Sequence, residues 1–225
     1  MISPFRDRLD AGRRLGAELR AYEDSPQVIV LALPRGGVPV GFEVAAMLHA
    51  PLDVFVVRKL GLPWQPELAM GAIAASSSGA VRILDRDVIR AMQVSDEQIE
   101  LVTNAERLEL ERRERRYRGD VPFPALKGKT VILVDDGLAT GSSMRAAVAA
   151  LRHEAPGRIV VAVPVAARDT CDALREIADE IICVETPEPF QAVGEWYEDF
   201  SETTDDEVHD WLERSRAARH LHAST

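Results

Sequence analysis

Five short apolar runs are spaced along this chain with helix-length segments between most of them, and that spacing narrows the fold most. Residues 28–33, 53–57, 130–134, 158–163 and 180–184 each have the length of a strand and an apolar body without polar alternation. A strand apolar on both faces must be covered on both faces, which is the condition of a parallel sheet between two layers of helices. Helix-period segments at 38–48, 144–151 and 171–178 follow three of these strands, as βαβ units require. The fold class expected is therefore α/β, a central parallel sheet flanked by helices. In such sheets ligands bind at the carboxyl ends of the strands. Three strands run into polar or glycine-rich loops there, at 34–37, 58–67 and 135–143, so those loops are expected to share one edge.

Other segments fill in around this frame. Residues 5–22 carry Leu9, Leu15 and Leu19 among charges, a helix read as mostly solvated. Residues 60–67 contain Gly61, Pro63 and Pro66 and read as a loop, and 68–75 with 80–84 as a strand pair around 76–79. Ser95 with Gln98 three residues on marks a capping box. The helix it opens is expected to reach about Arg116 as an exposed, charged arm, its basic stretch 112–118 solvated and salt-bridged. Beyond 184 the chain reads as irregular and acidic, with a short helix near 205–212.

Composition removes several function classes. The net charge of −10 disfavours a nucleic-acid binder, which needs a basic face. Met1 to Leu19 has no apolar stretch of signal type, and no run of about 18 apolar residues occurs, so no membrane partner and a cytoplasmic location are expected. The five histidines show no metal-ligand spacing. The two cysteines, Cys171 and Cys183, suggest neither a zinc site nor a disulfide framework. Cys183, within Ile181-Ile182-Cys183-Val184, reads as a buried small hydrophobe. The 225 residues suit one domain.

The chemistry concentrates in Val131-Ile132-Leu133-Val134-Asp135-Asp136-Gly137-Leu138-Ala139-Thr140-Gly141-Ser142-Ser143. An apolar strand delivers two carboxylates at its end, and a loop with two glycines then opens a helix. Free amides at a helix start, with the dipole behind them, form a cradle for a phosphate dianion. Thr140, Ser142 and Ser143 add hydroxyl donors. Acids beside a phosphate repel it, so Asp135 and Asp136 make sense only if the ligand also brings hydroxyls or a cation. They can accept from ribose hydroxyls, sit near Mg²⁺ and stabilise positive charge developing on the sugar.

These residues resemble the signature of the type I phosphoribosyltransferases, and the resemblance extends along much of the chain. Leu33-Pro34-Arg35-Gly36-Gly37 is similar to the pyrophosphate loop of xanthine–guanine enzymes. It implies that Arg35, Gly36 and Gly37 bind pyrophosphate, with a non-proline cis peptide between Pro34 and Arg35. Arg58-Lys59-Leu60-Gly61 is similar to the start of the flexible catalytic loop of adenine enzymes, which implies that Arg58 and Lys59 neutralise leaving-group charge. The resemblance also implies phosphoribosyl pyrophosphate and a nucleobase-like acceptor as partners, Mg²⁺ as cofactor, nucleotide salvage as the kind of reaction, 5′-phosphate binding by Ala139, Thr140, Gly141, Ser142 and Ser143, and catalytic roles for Asp135, Asp136 and Lys59. It admits a homodimer. It divides the single domain into a core at about 25–184 and a small C-terminal hood at about 185–212.

Two features depart from the pattern. Where purine enzymes of the hypoxanthine type carry an acid before Thr-Gly, this chain has Ala139, as adenine and uracil enzymes do. Glu67 is then the candidate acid/base group, or else a solvated loop acid. In the hood, Trp196 and Tyr197 either stack on a base or pack their segment onto the sheet. The rival function is a regulatory module that binds the same ligand without turnover.

Overall fold

This computed structural model of the protein describes residues 4–223, with side chains through Arg219. In chain order its first half comprises α1 (Arg8–Glu18), β1 (Val28–Ala32), α2 (Gly37–Leu48), β2 (Leu52–Val54), β3 (Val57–Leu62), β4 (Gln65–Ser76), β5 (Gly79–Leu84), α3 (Arg86–Ala91) and α4 (Asp96–Arg118). Then follow β6 (Thr130–Val134), α5 (Ser142–Arg152), β7 (Arg158–Val165), α6 (Arg168–Arg175), β8 (Glu180–Glu185) and α7 (Asp205–Ala223). Five strands form the expected parallel sheet in the order β2-β1-β6-β7-β8. Its register sets Ile29 beside Val131 and Val131 beside Ile159.

The period-2 geometry of a strand sorts the core into two layers. Val28, Val30, Ile132 and Val134 face one layer with residues of α1, α2 and α7. Ile29, Leu31, Val131 and Leu133 face the other, with Met144, Ala147, Val148 and Leu151 of α5 and Cys171 and Leu174 of α6. The apolar runs are thus buried on both faces, as their composition demanded. Only β8, at the sheet edge, is half-buried along its length. Cys183 is accordingly half-buried, not the enclosed hydrophobe expected.

Four readings are corrected. Residues 60–67 are not a loop but the closed end of a β-hairpin, since β3 runs to Leu62 and β4 begins at Gln65. The pairing slips on either side of Gly61, where a Cβ would lie 2.3 Å from the Pro66 carbonyl oxygen. A bulge therefore absorbs the glycine and proline that read as strand breakers. The first helix is not mostly solvated: Ala11 and Leu15 are buried, and Gly12 and Gly16 let it lie against Val40 and Met47 of α2. The helix from the Ser95 capping box forms as expected, but it is not a free arm. Ile99, Leu110 and Tyr117 are buried, and Arg118, 3% exposed, pairs with Asp53 at 3.0 Å. Finally, α7 runs past residue 212 to Ala223, burying Val208 and Leu212. The helix α3, capped by Asp85, had no sequence expectation.

Candidate active site at the carboxyl edge of the sheet

Strands β1 and β6 are neighbours, so their loops leave the sheet side by side. The Leu33 amide, one residue beyond β1, donates to the carbonyl of Val134, the last residue of β6, at 2.8 Å. The turn through Arg35, Gly36 and Gly37 then packs directly on the acid pair. A Cβ on Gly37 would stand 2.9 Å from the Asp135 Cα, and one on Gly36 2.0 Å from the Asp136 carboxylate. Only glycine permits this approach. The Pro34–Arg35 peptide is cis.

The phosphate loop is pinned from behind and open in front. Leu138 donates to Val165 and Ala167 donates to Leu138, which stitches the loop to the end of β7. The Thr170 hydroxyl of α6 donates to the Ala139 carbonyl at 2.5 Å, and Arg145 donates to the Thr140 carbonyl. Gly141 takes a left-handed φ of 67° and caps α5. Among the described residues, the amides of Ala139, Thr140, Gly141 and Ser143 donate to no acceptor. Thr140, Ser142 and Ser143 are exposed. Four uncommitted N–H groups at a helix N-terminus form a nest for an anion.

The acid pair is held from two sides. The Asp136 amide donates to the Asp135 carboxylate at 2.9 Å. The Arg8 Nε donates to the Asp136 carboxylate at 2.8 Å, from the first turn of α1, with side chains 11% and 16% exposed. Desolvation by the surrounding protein pushes the Asp135 carboxyl well above the usual carboxylate range, and the charge of Asp136 pushes it further. Burial also raises Asp136, with the Arg8 guanidinium pulling the other way. Protonation of such a pair belongs to both groups together. The Tyr197 hydroxyl donates to the Asp136 carbonyl at 2.6 Å. Burial first, and then the Asp136 charge, hold that phenol above its ordinary range.

The expected cations are all present, each against an acid. Arg35 pairs with Glu202 and reaches Asp205 at 3.8 Å. Arg58 pairs with Glu106 of α4 at 2.7 Å. Lys59 meets Glu67 at 3.2 Å, and Glu67 is 94% exposed on the hairpin. Arg58, Lys59 and Glu67 line a cleft of about 550 Å³ between the hairpin and α4. Asp135, Asp136, Arg35, Gly36 and Gly37 thus gather with the 139–143 loop, whereas Arg58, Lys59 and Glu67 belong to the hairpin.

The base-stacking expectation for Tyr197 is corrected. Its ring is 6% exposed, tilted between Phe5 at 5.4 Å and Phe200 at 5.0 Å, and its hydroxyl is committed. It braces the acid pair and offers no open face. Trp196 is half-buried against the same small cluster of Phe5, Val165 and Tyr197. Residue pairing of Phe5 with Tyr197 fastens the N-terminal segment to the hood. Arg8, Thr170, Glu202 and Asp205 were not anticipated. Arg8 lies 128 residues from Asp136, and no local pattern marks a charge pair over that separation.

An open parallel sheet that brings an acid pair, a glycine turn and a set of free loop amides to one edge defines an α/β protein with its candidate site at the carboxyl ends of the strands. The phosphoribosyl transferase domain pattern matches residues 2–199, and the chain belongs to that family. Provisionally named phosphoribosyl transferases of two Mycobacterium tuberculosis strains, CDC 1551 and H37Rv, are each 45% identical over 211 residues, 94% of this chain and 47% of theirs. The chain thus spans about half the length of those curated relatives. The crystal structure of TT1426 from Thermus thermophilus is similar with a TM-score of 0.82 and 41% identity, covering 94% of this chain and 98% of that one. The α/β phosphoribosyltransferase fold is therefore the fold of this protein.

Proposed function

We propose that the protein transfers a phosphoribosyl group from phosphoribosyl pyrophosphate to a nucleobase-like nitrogen and releases pyrophosphate, in the manner of nucleotide salvage. The observation that carries this reading is the contact between the Gly36-Gly37 turn and the Asp135–Asp136 pair beside four free loop amides. A glycine turn packed on the acid pair and free loop amides a few residues after it suit a ligand that carries phosphate at both ends of a sugar. The 139–143 amides hold the 5′-phosphate, and Asp135 and Asp136 accept from the ribose hydroxyls. Arg35 with the Gly36 amide holds pyrophosphate beside Gly37, whose own amide donates to the Leu33 carbonyl at 3.1 Å and so shapes the turn. Lys59 reaches the leaving group when the hairpin closes, with Arg58 beside it, and Glu67 follows on the same hairpin as the acid/base candidate. Catalysis is then mostly positioning and electrostatic stabilisation of an oxocarbenium-like sugar.

Mg²⁺ fits these residues as an ion that arrives with its substrate. Asp135 and Asp136 offer hard carboxylate oxygens, and among the described residues no third metal-ligating side chain joins them. Such an ion would keep most of its ligands from water and phosphate. When bound it neutralises charge on the departing pyrophosphate. Among the described residues no helix is long and apolar enough to cross a membrane, and a cytosolic site of action suits a diffusible substrate.

The pairing of Arg35, Arg58 and Lys59 with acids favours a second reading, a regulatory module that binds the ligand without turnover. Pyrophosphate release measured with a panel of nucleobases and Mg²⁺ decides between them. Base-dependent release supports the transferase. Tight ligand binding with no release on any base supports the module, and release without a base identifies water as the acceptor.

A further inference from the structure

The chain has two cysteines, far apart in function from the acid pair, and the fold brings them together. Cys183 pairs with Val163 across the β7–β8 ladder. On β8, Ile181 and Cys183 face the layer of α5 and α6, while Ile182 and Val184 face away from it. Cys171 is buried in that same layer, in the first half of α6. The two cysteines therefore lie on facing sides of the α6–β8 contact, within one apolar layer. Because β8 is the sheet edge, Cys183 is only half-buried, which leaves a small solute a path to the pair. The residue before Cys171 is Thr170, whose hydroxyl holds the Ala139 carbonyl and whose methyl packs behind Gly141.

We propose that Cys171 and Cys183 are an oxidation site at which a peroxide forms an intrachain disulfide, locking the helix that backs the phosphate loop onto the edge strand. One sulfur of the pair, as thiolate, attacks a peroxide oxygen. The S–O bond forms, the O–O bond breaks, and the leaving hydroxide takes a proton to become water, leaving a sulfenic acid. The second sulfur attacks the first as its proton passes to the departing hydroxyl. The S–S bond forms, the S–O bond breaks and a second water leaves, so two thiols and one peroxide give one disulfide and two waters. The neighbouring cysteine draws the Cys171 thiol below its ordinary range and, with burial, pushes the Cys183 thiol above it, so the two titrate as a pair.

The test uses the full chain, reduced and then treated with hydrogen peroxide. Intact mass should fall by two hydrogens, and a non-reducing peptide map should join the peptides of Cys171 and Cys183. The Tm should rise by roughly 5–10 °C and return on reduction, since the link closes a short loop in the unfolded chain. Cys183→Ser and Cys183→Ala, both at a half-buried position, should show no link and no peroxide-dependent Tm change. Peroxide-treated protein in which both thiols still alkylate would overturn the proposal. So would added oxygen without a link, or a link between two chains. None of these readouts depends on transferase activity.

Discussion

The two cation-bearing regions near the site are built on opposite terms. At the edge of the sheet, Gly36, Gly37, Asp135 and Asp136 are fixed by backbone contact, with no room for a Cβ and an Arg8 pair that is nearly enclosed. On the β3–β4 hairpin, Lys59 is 41% exposed and its partner Glu67 94% exposed. A pair like Lys59–Glu67 contributes about 0–1 kcal/mol and yields readily to a better anion. On the proposed function, the first region is the preorganised ligand seat, whereas the second is free to change partners when a ligand arrives. The buried acids carry a cost, visible in their raised carboxyls, that the ligand's hydroxyls and cation would relieve.

The comparison breaks most sharply at the acids. Asp135→Asn with Asp136→Asn should lower turnover at least about 10³-fold, measured as pyrophosphate release, without unfolding the chain. Gly37→Ala comes next. Its methyl meets the Asp135 backbone and the Val134 carbonyl, which cannot move aside. Affinity for phosphoribosyl pyrophosphate should fall about 100-fold by calorimetry, with a loss of about 1–3 kcal/mol in stability. On the hairpin, Lys59→Ala should reduce kcat/KM about 10- to 100-fold while Tm moves by less than about 2 °C. A large Tm loss there would show that the hairpin is as fixed as the edge.

The smallest effect concerns pH. Asp135 keeps its proton in the folded chain at pH values where the unfolded chain has lost it. The folded state then binds more protons than the unfolded state above the ordinary carboxylate range, so this group's contribution to stability falls as pH rises. Asp135→Asn removes that term. Its apo Tm should exceed wild type by roughly 2–4 °C near pH 8, a gain of about 1 kcal/mol, with the difference shrinking toward about pH 5. Equal Tm differences at both pH values would contradict the assignment.

What the sequence made legible follows the reach of each interaction. The five strands and the 135–143 loop are local patterns, and apolar runs ending in acids and glycines have few other physical solutions. The shared edge of the 34–37 and 135–143 loops followed from parallel topology alone. By contrast, the β3–β4 hairpin was hidden because Gly61, Pro63 and Pro66 are ordinary loop signals unless a bulge absorbs them. The buried sides of α1 and α4 were masked by their charge, since Gly12 and Gly16 pack by being small rather than apolar. Tyr197 was placed near the ligand by composition, but its ring faces Phe5 and its hydroxyl faces Asp136, relations set only once the chain ends meet. Arg8 belongs to the same group of long-range contacts.

The central claim rests on where a phosphoribosyl pyrophosphate molecule sits, and a difference map from crystals soaked with it and Mg²⁺ tests that most directly. The account predicts the 5′-phosphate on the amides of residues 139–143, ribose hydroxyls on Asp135 and Asp136, and pyrophosphate at Arg35, Gly36 and Gly37. Density for the ligand elsewhere, or a loop left empty at saturating concentration with the two turns still in contact, would contradict it.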